Sequence, residues 1–135
     1  MKNIKNFQKF FESSDNNIKE IIDDMLLEYA DKYNLFSVEH DDISVDDRRD
    51  KNGFYRISDQ IRTSMFKVDG FPTDATGYQV NLSIKNLENE SEFKSDMYKF
   101  IQRVCNTFDF KFETYFKDYY GSKSFVIAFY NNLSI

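Results

Sequence analysis

The apolar residues of this chain change their spacing near residue 108, and this change constrains the fold more than any other feature of the sequence. Between residues 93 and 108 they recur at the spacing of a helix with one apolar face: Phe93, Met97, Phe100, Ile101, Val104 and Phe108. Directly afterwards Phe108, Phe110 and Phe112 alternate with charged residues, which is the two-residue period of a half-buried strand. A helix that passes straight into such a strand predicts a fold of the α+β class.

A second long helix is predicted over residues 17–33. Asn17 can act as its N-cap, and Glu20 stands three residues later, as a capping box requires. The apolar residues of this segment share one stripe of the helix: Ile18, Ile21, Ile22, Met25, Leu26, Tyr29 and Tyr33. The opposite side is charged, so we expect only one side of this helix to be buried.

The remaining apolar segments predict strands that are joined mostly by hairpins. Between residues 35 and 68 the pattern favours β structure, and the Asn52-Gly53 pair predicts a hairpin turn because both residues tolerate a positive φ. Residues 78–84 alternate between apolar and polar, and residues 125–130 are apolar throughout, which predicts a central strand. We therefore predict an α+β fold: a mostly antiparallel sheet with two long helices packed on one face, plus a short N-terminal amphipathic helix.

That short helix is predicted over residues 1–13, as an appendage to a single α+β domain over residues 14–135. Its apolar residues fall at helical spacing: Ile4, Phe7, Phe10 and Phe11. A helix of this length is marginal by itself in water, so we expect these four residues to bind a partner surface or dock on the domain. The length of 135 residues and the lack of a Pro/Gly-rich linker agree with one domain.

The charge of the chain indicates which partners suit it. The net charge is −5 and the pI is about 4.9. Nucleic acids and anionic membranes attract basic surfaces, so we expect neither as a partner, whereas a basic protein suits an acidic chain.

Cys105 is the single cysteine, which agrees with a reducing compartment. Since no signal peptide or membrane-spanning segment is recognisable, we predict a soluble, cytoplasmic protein.

An acidic run surrounds the single histidine of the chain. Its members are Glu39, His40, Asp41, Asp42, Asp46 and Asp47. Carboxylates and an imidazole can bind a metal ion where they converge, but a charge run in a loop is more often a solvated surface or a patch for a basic partner. We therefore interpret Asp41, Asp42, Asp46 and Asp47 as partner-binding residues, and we predict no metal ion and no other cofactor.

Tyrosines near the last strand are a second candidate contact. Tyr115, Tyr119 and Tyr120 can lie outside the core, and exposed tyrosines are enriched in interfaces, although cross-strand packing is the plainer interpretation. No Gly-x-Ser-x-Gly turn or phosphate-binding glycine loop occurs, and Cys105 lies beside the apolar helix stripe as a small buried residue. We predict no enzyme, and acid–base catalysis by two carboxylates is left open.

The first twelve residues read MKNIKNFQKFFE. They resemble the short helical leaders that target small proteins into the prohead of T-even-like tailed bacteriophages. In that family the head protease cuts after Glu in a hydrophobic-x-Glu context, so the resemblance implies cleavage after Glu12 in Phe10-Phe11-Glu12. It also implies an accessory protein of a large tailed phage, in the virion or in the infected cell.

The leading hypothesis is a non-enzymatic phage accessory protein that acts by protein–protein contact, in the virion or against a host factor. A homo-oligomer is left open. The first alternative is an immunity-like, antitoxin-like or anti-defence inhibitor that masks a basic partner surface. The second is a nucleotide-signal sponge with a cation in a deep pocket, drawn from Arg48, Arg56, Arg62 and Arg103. The third is a small metal-dependent enzyme that uses His40 and the nearby aspartates.

Overall fold

The computed structural model describes residues 15–39, 43–67, 69–71 and 75–131. In these residues the elements follow the order α1 (Asp15–Lys32), β1 (Leu35–Ser37), α2 (Val45–Arg48), β2 (Gly53–Ser58), a 3-10 turn (Thr63–Met65), β3 (Thr76–Ile84), α3 (Glu90–Phe108), β4 (Lys111–Tyr119) and β5 (Ser122–Asn131). The predicted N-terminal helix, with Ile4, Phe7, Phe10 and Phe11, lies outside the described residues, so that appendage stays a prediction.

Local capping sets both ends of α3 and the C-terminal end of α1, whereas the predicted cap Asn17 lies inside α1, which begins at Asp15. The Asn89 side chain accepts a hydrogen bond from the Glu92 backbone N–H at 3.0 Å, which caps the first turn of α3. Asp109 ends α3 in the left-handed conformation with φ 57°, and Asn34 follows α1 with φ 56°. Among the described helices, none combines the length and apolar character that crossing a bilayer requires.

Five described strands form one mixed sheet in the order β1-β2-β3-β5-β4. β1 runs parallel to β2, with Leu35 opposite Gly53, and the other neighbouring pairs are antiparallel. The predicted arrangement of the α+β fold, a mostly antiparallel sheet with two long helices packed on one face, is therefore wrong. The structure is α+β with a mixed sheet, and one of its three described helices, α2, is a single turn of four residues.

The parallel pair arises because the chain does not reverse at Asn52-Gly53. The hairpin predicted there is wrong: Gly53 is the first residue of β2, and neither residue has a positive φ. After β1 the chain forms α2 near Ile43 and Val45, where β structure was predicted, and then re-enters the sheet in the original direction. A side chain at position 53 would collide with the carbonyl group of Ser83, so close strand approach requires this glycine.

Both faces of the sheet carry buried side chains. On the first face, alternate residues of β3 and β5 share one core with residues of α1 and α3: Tyr78, Val80, Leu82, Ile84, Phe125, Ile127 and Phe129 with Ile22, Leu26, Phe100 and Ile101. On the second face, Val126, Ala128 and Tyr130 pack against Phe66 and the partly buried Phe71. β5 is therefore buried on both faces between β3 and β4, which confirms its predicted central position.

The strand order leaves β1 and β4 at the two edges of the described sheet. β1 has three residues, whereas β4 has nine. Four strand spacings separate the two edges, which is about 19 Å. A surface built at one edge is therefore separate from a surface built at the other.

Candidate functional site

Two depressions flank residues 37–39, where β1 ends at the edge of the sheet. The backbone N–H of Val38 donates to the Tyr55 carbonyl of β2 at 2.9 Å. Because successive N–H groups of a strand point to opposite sides, the N–H of Ser37 points away from β2. Residues 37–39 therefore present backbone polar groups between the two depressions.

The first depression, of about 270 Å³, lies between α1 and the edge formed by β1 and β2. Its lining residues are Lys19, Glu20, Asp23, Ser37, Val38, Glu39 and Ile57. Carboxylates outnumber the single lysine by three to one among its charged side chains. The depression therefore has an acidic rim and an aliphatic wall.

Tyr55 fixes one of these carboxylates. Its hydroxyl donates a hydrogen bond to Asp23 Oδ1 at 2.7 Å, and Tyr55 itself is only 2% exposed. Burial, followed by the hydrogen bond to Asp23, raises the pKa of the Tyr55 hydroxyl well above its ordinary value. The phenol therefore stays neutral and holds Asp23 in place between α1 and β2.

The second depression, of about 490 Å³, lies between β1 and α2. Its lining residues are Phe36, Ser37, Val38, Glu39, Ile43, Asp47 and Lys51. The Phe36 ring packs beside the Phe54 ring, with centroids 6.1 Å apart. This depression therefore combines apolar side chains with a charged border, and it shares Glu39 with the first.

The single turn of α2 positions two of the predicted partner-binding residues. Ser44 Oγ accepts a hydrogen bond from the Asp47 backbone N–H at 3.2 Å and so caps α2. Asp46 Oδ1 is 2.6 Å from Arg49 Nη2, so its charge is paired within the turn. The Asp47 carboxylate forms no ion pair with another described residue and lines the second depression. Of these two predicted residues, only Asp47 brings to this depression a carboxylate without an ion pair to a described residue.

The carboxylates between α1 and α3 are paired, in contrast to those at the β1 edge. Asp96 accepts hydrogen bonds from Lys32 Nζ at 2.8 Å and from the Tyr33 hydroxyl at 2.7 Å. These bonds, first of all the one from Lys32, lower the pKa of Asp96. Glu28 pairs with Arg103 Nη1 at 3.0 Å. These charges serve the contact between the two long helices.

Four carboxylates around β1 have no cationic partner among the described residues. Glu20, Asp23, Glu39 and Asp47 form no ion pair with another residue that the structure describes. We call these four side chains, together with residues 37–39, the acidic edge. It combines a negative rim, apolar walls and outward-facing backbone groups, and this combination suits an extended basic ligand.

Of the other predicted partner-binding residues, the structure places Tyr119 and Tyr120 away from the acidic edge. Asp41 and Asp42 lie outside the described residues. Tyr119 is the last residue of β4, at the opposite edge of the sheet. Tyr120 follows in the β4–β5 turn with φ 42° and is fully exposed, at 105%. Among the predicted residues that the structure describes, Asp47 and the two tyrosines therefore lie on separate surfaces.

Neither depression suits the nucleotide sponge. That alternative requires a pocket lined by Arg48, Arg56, Arg62 or Arg103, and none of the four lines either depression. Arg103 is committed instead to its ion pair with Glu28. A nucleotide would therefore meet carboxylates in these depressions, which repel phosphate.

Metal and thiol chemistry find little support in the described part of the chain. Across residues 15–39, 43–67, 69–71 and 75–131, no group of three or more His, Cys, Asp or Glu residues is arranged to hold a metal ion. His40 lies outside this part. Burial raises the pKa of the Cys105 thiol, which keeps it protonated and weakly nucleophilic.

Sequence reasoning missed three members of the acidic edge. Glu20 and Asp23 stand three residues apart and so share a face of α1, a spacing visible in the sequence but interpreted as a solvated surface. Glu39 belonged to the acidic run but was not selected. What brings Glu39 beside α1 is the pairing of β1 with β2, which no local pattern indicated.

Comparisons of the chain with protein-family models, with curated proteins and with solved structures find no match. The acidic edge is therefore the basis on which a function can be assigned.

Proposed function

We propose that this chain is a non-enzymatic protein that binds a basic segment of a partner protein at the acidic edge. One observation carries the proposal: four carboxylates surround the end of an edge strand, and no described cation pairs with them. Such a concentration of one charge attracts and orients a ligand of the opposite charge.

The edge strand supplies a way to hold an extended segment. A partner strand laid beside β1 can pair with the outward backbone groups near Ser37, which is the β-augmentation mode of peptide recognition. Lysine or arginine side chains of that strand then reach Glu39 and Asp47 or, on the side of α1, Asp23. Apolar side chains between them can contact Val38. The preferred ligand is therefore an extended segment in which basic and apolar residues alternate.

The setting that we propose is the cytoplasm of a phage-infected bacterium, with a host factor or a virion protein as the partner. The support is the resemblance of residues 1–12 to prohead-targeting leaders, which is independent of the acidic edge. Masking the basic surface of a host factor would make the chain an inhibitor that uses the same carboxylates.

Binding of labelled basic peptides tests this function directly. The probes are peptides of about ten residues that alternate Lys or Arg with Val or Ile, and the readout is fluorescence anisotropy. We expect the unaltered chain to bind a subset of them. We expect the affinity to fall about tenfold or more in Glu39→Lys/Asp47→Lys, and to fall as salt is raised, because the attraction is screened.

A second double variant controls for net charge. Asp69→Lys/Glu88→Lys changes the total charge by the same amount at exposed residues away from both depressions. This variant should bind within about twofold of the unaltered chain, because local charge and not net charge governs contact. Equal losses in the two variants, or no binding by any peptide of the panel, would contradict the proposal.

A further inference from the structure

β4, at the opposite edge of the sheet, is regular enough to pair with another strand. Its nine residues face β5 one to one, from Lys111 opposite Tyr130 to Tyr119 opposite Ser122, so no bulge interrupts it. It contains neither Pro nor Gly. Proteins commonly protect edge strands by shortening them, by bulges or by Pro, and β1 with its three residues is short in this way. β4 has none of these three devices, although it carries charged side chains, and in the described chain no strand lies on its outer side.

Two of the charges of β4, one of each sign, are placed symmetrically about its middle residue. Glu113 and Lys117 stand two residues before and two residues after Tyr115, so all three lie on one face of the strand. When two copies of β4 align antiparallel about a twofold axis at Tyr115, Glu113 of each copy lies opposite Lys117 of the other. One symmetric contact therefore produces two pairs of opposite charge.

Charge also makes the neighbouring registers less favourable than the register with its axis at Tyr115. An axis at Thr114 places Lys111 opposite Lys117 twice, and an axis at Glu113 places that carboxylate opposite itself. An axis at Phe116 avoids like charges but forms no ion pair, because Lys117 then meets Tyr115. Like charges directly opposite each other destabilise a strand pair, so the axis at Tyr115 is the favoured register.

Apolar side chains beside β4 are incompletely covered. Phe112 and Phe116 are partly buried against the first core. The Tyr98 ring of α3 lies 6.2 Å from the Phe112 ring and is 44% exposed. On the other face Tyr115 is partly buried against the second core. A strand added at this edge would therefore bury apolar surface on both faces in addition to forming a hydrogen-bonded ladder.

We propose that a second copy of this chain pairs with β4. The two five-stranded sheets then continue into one ten-stranded sheet about a twofold axis at Tyr115. The occupant is a second copy because the charge pattern of β4 is complementary to itself in that register. This surface lies at the edge opposite the acidic edge, so the proposal is independent of peptide binding.

Charge reversal in the full-length chain tests the pairing by sedimentation velocity. The unaltered chain is expected to be a dimer. Glu113→Lys and Lys117→Glu each convert both attractive pairs into repulsive ones, so we expect the dimer Kd to rise about tenfold or more in each variant. An equal mixture of the two variants should form a heterodimer, because one variant then carries only cations and the other only anions at these two positions.

Three results of this experiment would contradict the pairing of two copies through β4. A monomeric unaltered chain, single variants that dimerise as before, or a mixture that stays monomeric would overturn it. Should a charge variant fail to fold by circular dichroism, Tyr115→Cys replaces it: mild oxidation should yield a covalent dimer, which Lys85→Cys should not give. Absence of that covalent dimer also overturns the pairing. Glu39→Lys/Asp47→Lys should dimerise normally, which separates this result from the proposed function.

Discussion

Asp96 offers a direct test of how the two long helices are held together. It is only 7% exposed, and it accepts hydrogen bonds from the Tyr33 hydroxyl at 2.7 Å and from Lys32 Nζ at 2.8 Å. Asp96→Asn preserves the shape of the side chain and removes its charge. We expect the variant to fold with a lower free energy of unfolding, because both donors then face a neutral amide.

The structure sets the size of this loss. A hydrogen bond to a charged group contributes roughly 1.5–3 kcal/mol and a neutral one about 1 kcal/mol, so the bond from Tyr33 weakens by about 1 kcal/mol. The Lys32 side chain is 45% exposed, so water screens its ion pair with Asp96 and that pair adds little. We therefore expect a loss of about 1–2 kcal/mol, or roughly 4–8 °C in Tm for a chain of this length.

The pH dependence has a defined sign. The hydrogen bond from Lys32, chiefly, lowers the pKa of Asp96 in the folded chain. Its contribution to stability is therefore complete above the unfolded pKa of about 3.9 and disappears as the pH falls through the lower folded value. The difference in stability between the parent and Asp96→Asn should accordingly be constant near neutral pH and shrink in acid.

Urea unfolding followed by circular dichroism measures both effects. Asp24→Asn is a matched control, because Asp24 is exposed on α1, and it should change the free energy of unfolding by less than about 0.5 kcal/mol. Tyr33→Phe keeps the ring contact with Phe93, at 5.2 Å between centroids, and loses only the hydroxyl. Its effect should be smaller in the Asp96→Asn background. If Asp96→Asn behaves like Asp24→Asn, or the difference survives unchanged in acid, the reasoning is refuted.

Two further substitutions test the contacts around β2. Tyr55→Phe removes the donor to Asp23 and should lower the free energy of unfolding in urea by about 1 kcal/mol; equal stability would argue against that bond. Because the pKa of Tyr55 is raised in the folded chain, the difference in the free energy of unfolding between the parent and Tyr55→Phe should persist through neutral pH. It should shrink only as the pH rises beyond about 10. Gly53→Ala should lower Tm clearly, since the new methyl group meets the Ser83 carbonyl; an unchanged melting curve by circular dichroism would contradict the close approach of β2 and β3.

The long helices were predictable because their burial follows a local period. Phe93, Met97 and Phe100 repeat every three or four residues, and all three are fully buried in the structure. The same holds for Ile22 and Leu26 of α1. Such a stripe has one way to be buried, whatever the rest of the chain does, so the local pattern is sufficient to predict a helix.

The mixed sheet was not predictable in this way because it depends on a pairing that leaves no local trace. β1 has three residues, too few to show a period of two. Gly53 was interpreted through the turn propensity of Asn-Gly, whereas its position is fixed by the backbone of Ser83, which lies thirty positions further along the chain. A glycine selected for close approach and a glycine selected for a positive φ have the same letter in the sequence.

The candidate site was predictable only in part, because pairing between distant residues decides which carboxylates belong to it. The acidic run identified Asp47, which lies at the second depression, and Asp46, which pairs with Arg49 instead. Whether a carboxylate is paired depends on which cations the fold brings near it, so composition could not separate these two neighbours. Asp23 of α1 is held at the site by a hydrogen bond from the Tyr55 hydroxyl of β2. This contact depends on the packing of α1 on β2, which the sequence does not show.

The two edges of the sheet differ in a way that links the two proposals. The β1 edge is short and its carboxylates outnumber the lysines that line the same depressions, so two copies repel each other there and a basic ligand is favoured. The β4 edge is long and carries Glu113 and Lys117 symmetrically about Tyr115, so its charge pattern is complementary to that of a second copy. Pairing through β4 would place the two acidic edges at the outer ends of ten strands, about 43 Å apart along the sheet. A dimer of this kind would bind two basic segments at once, and a partner with repeated segments would be held more tightly than either site alone allows.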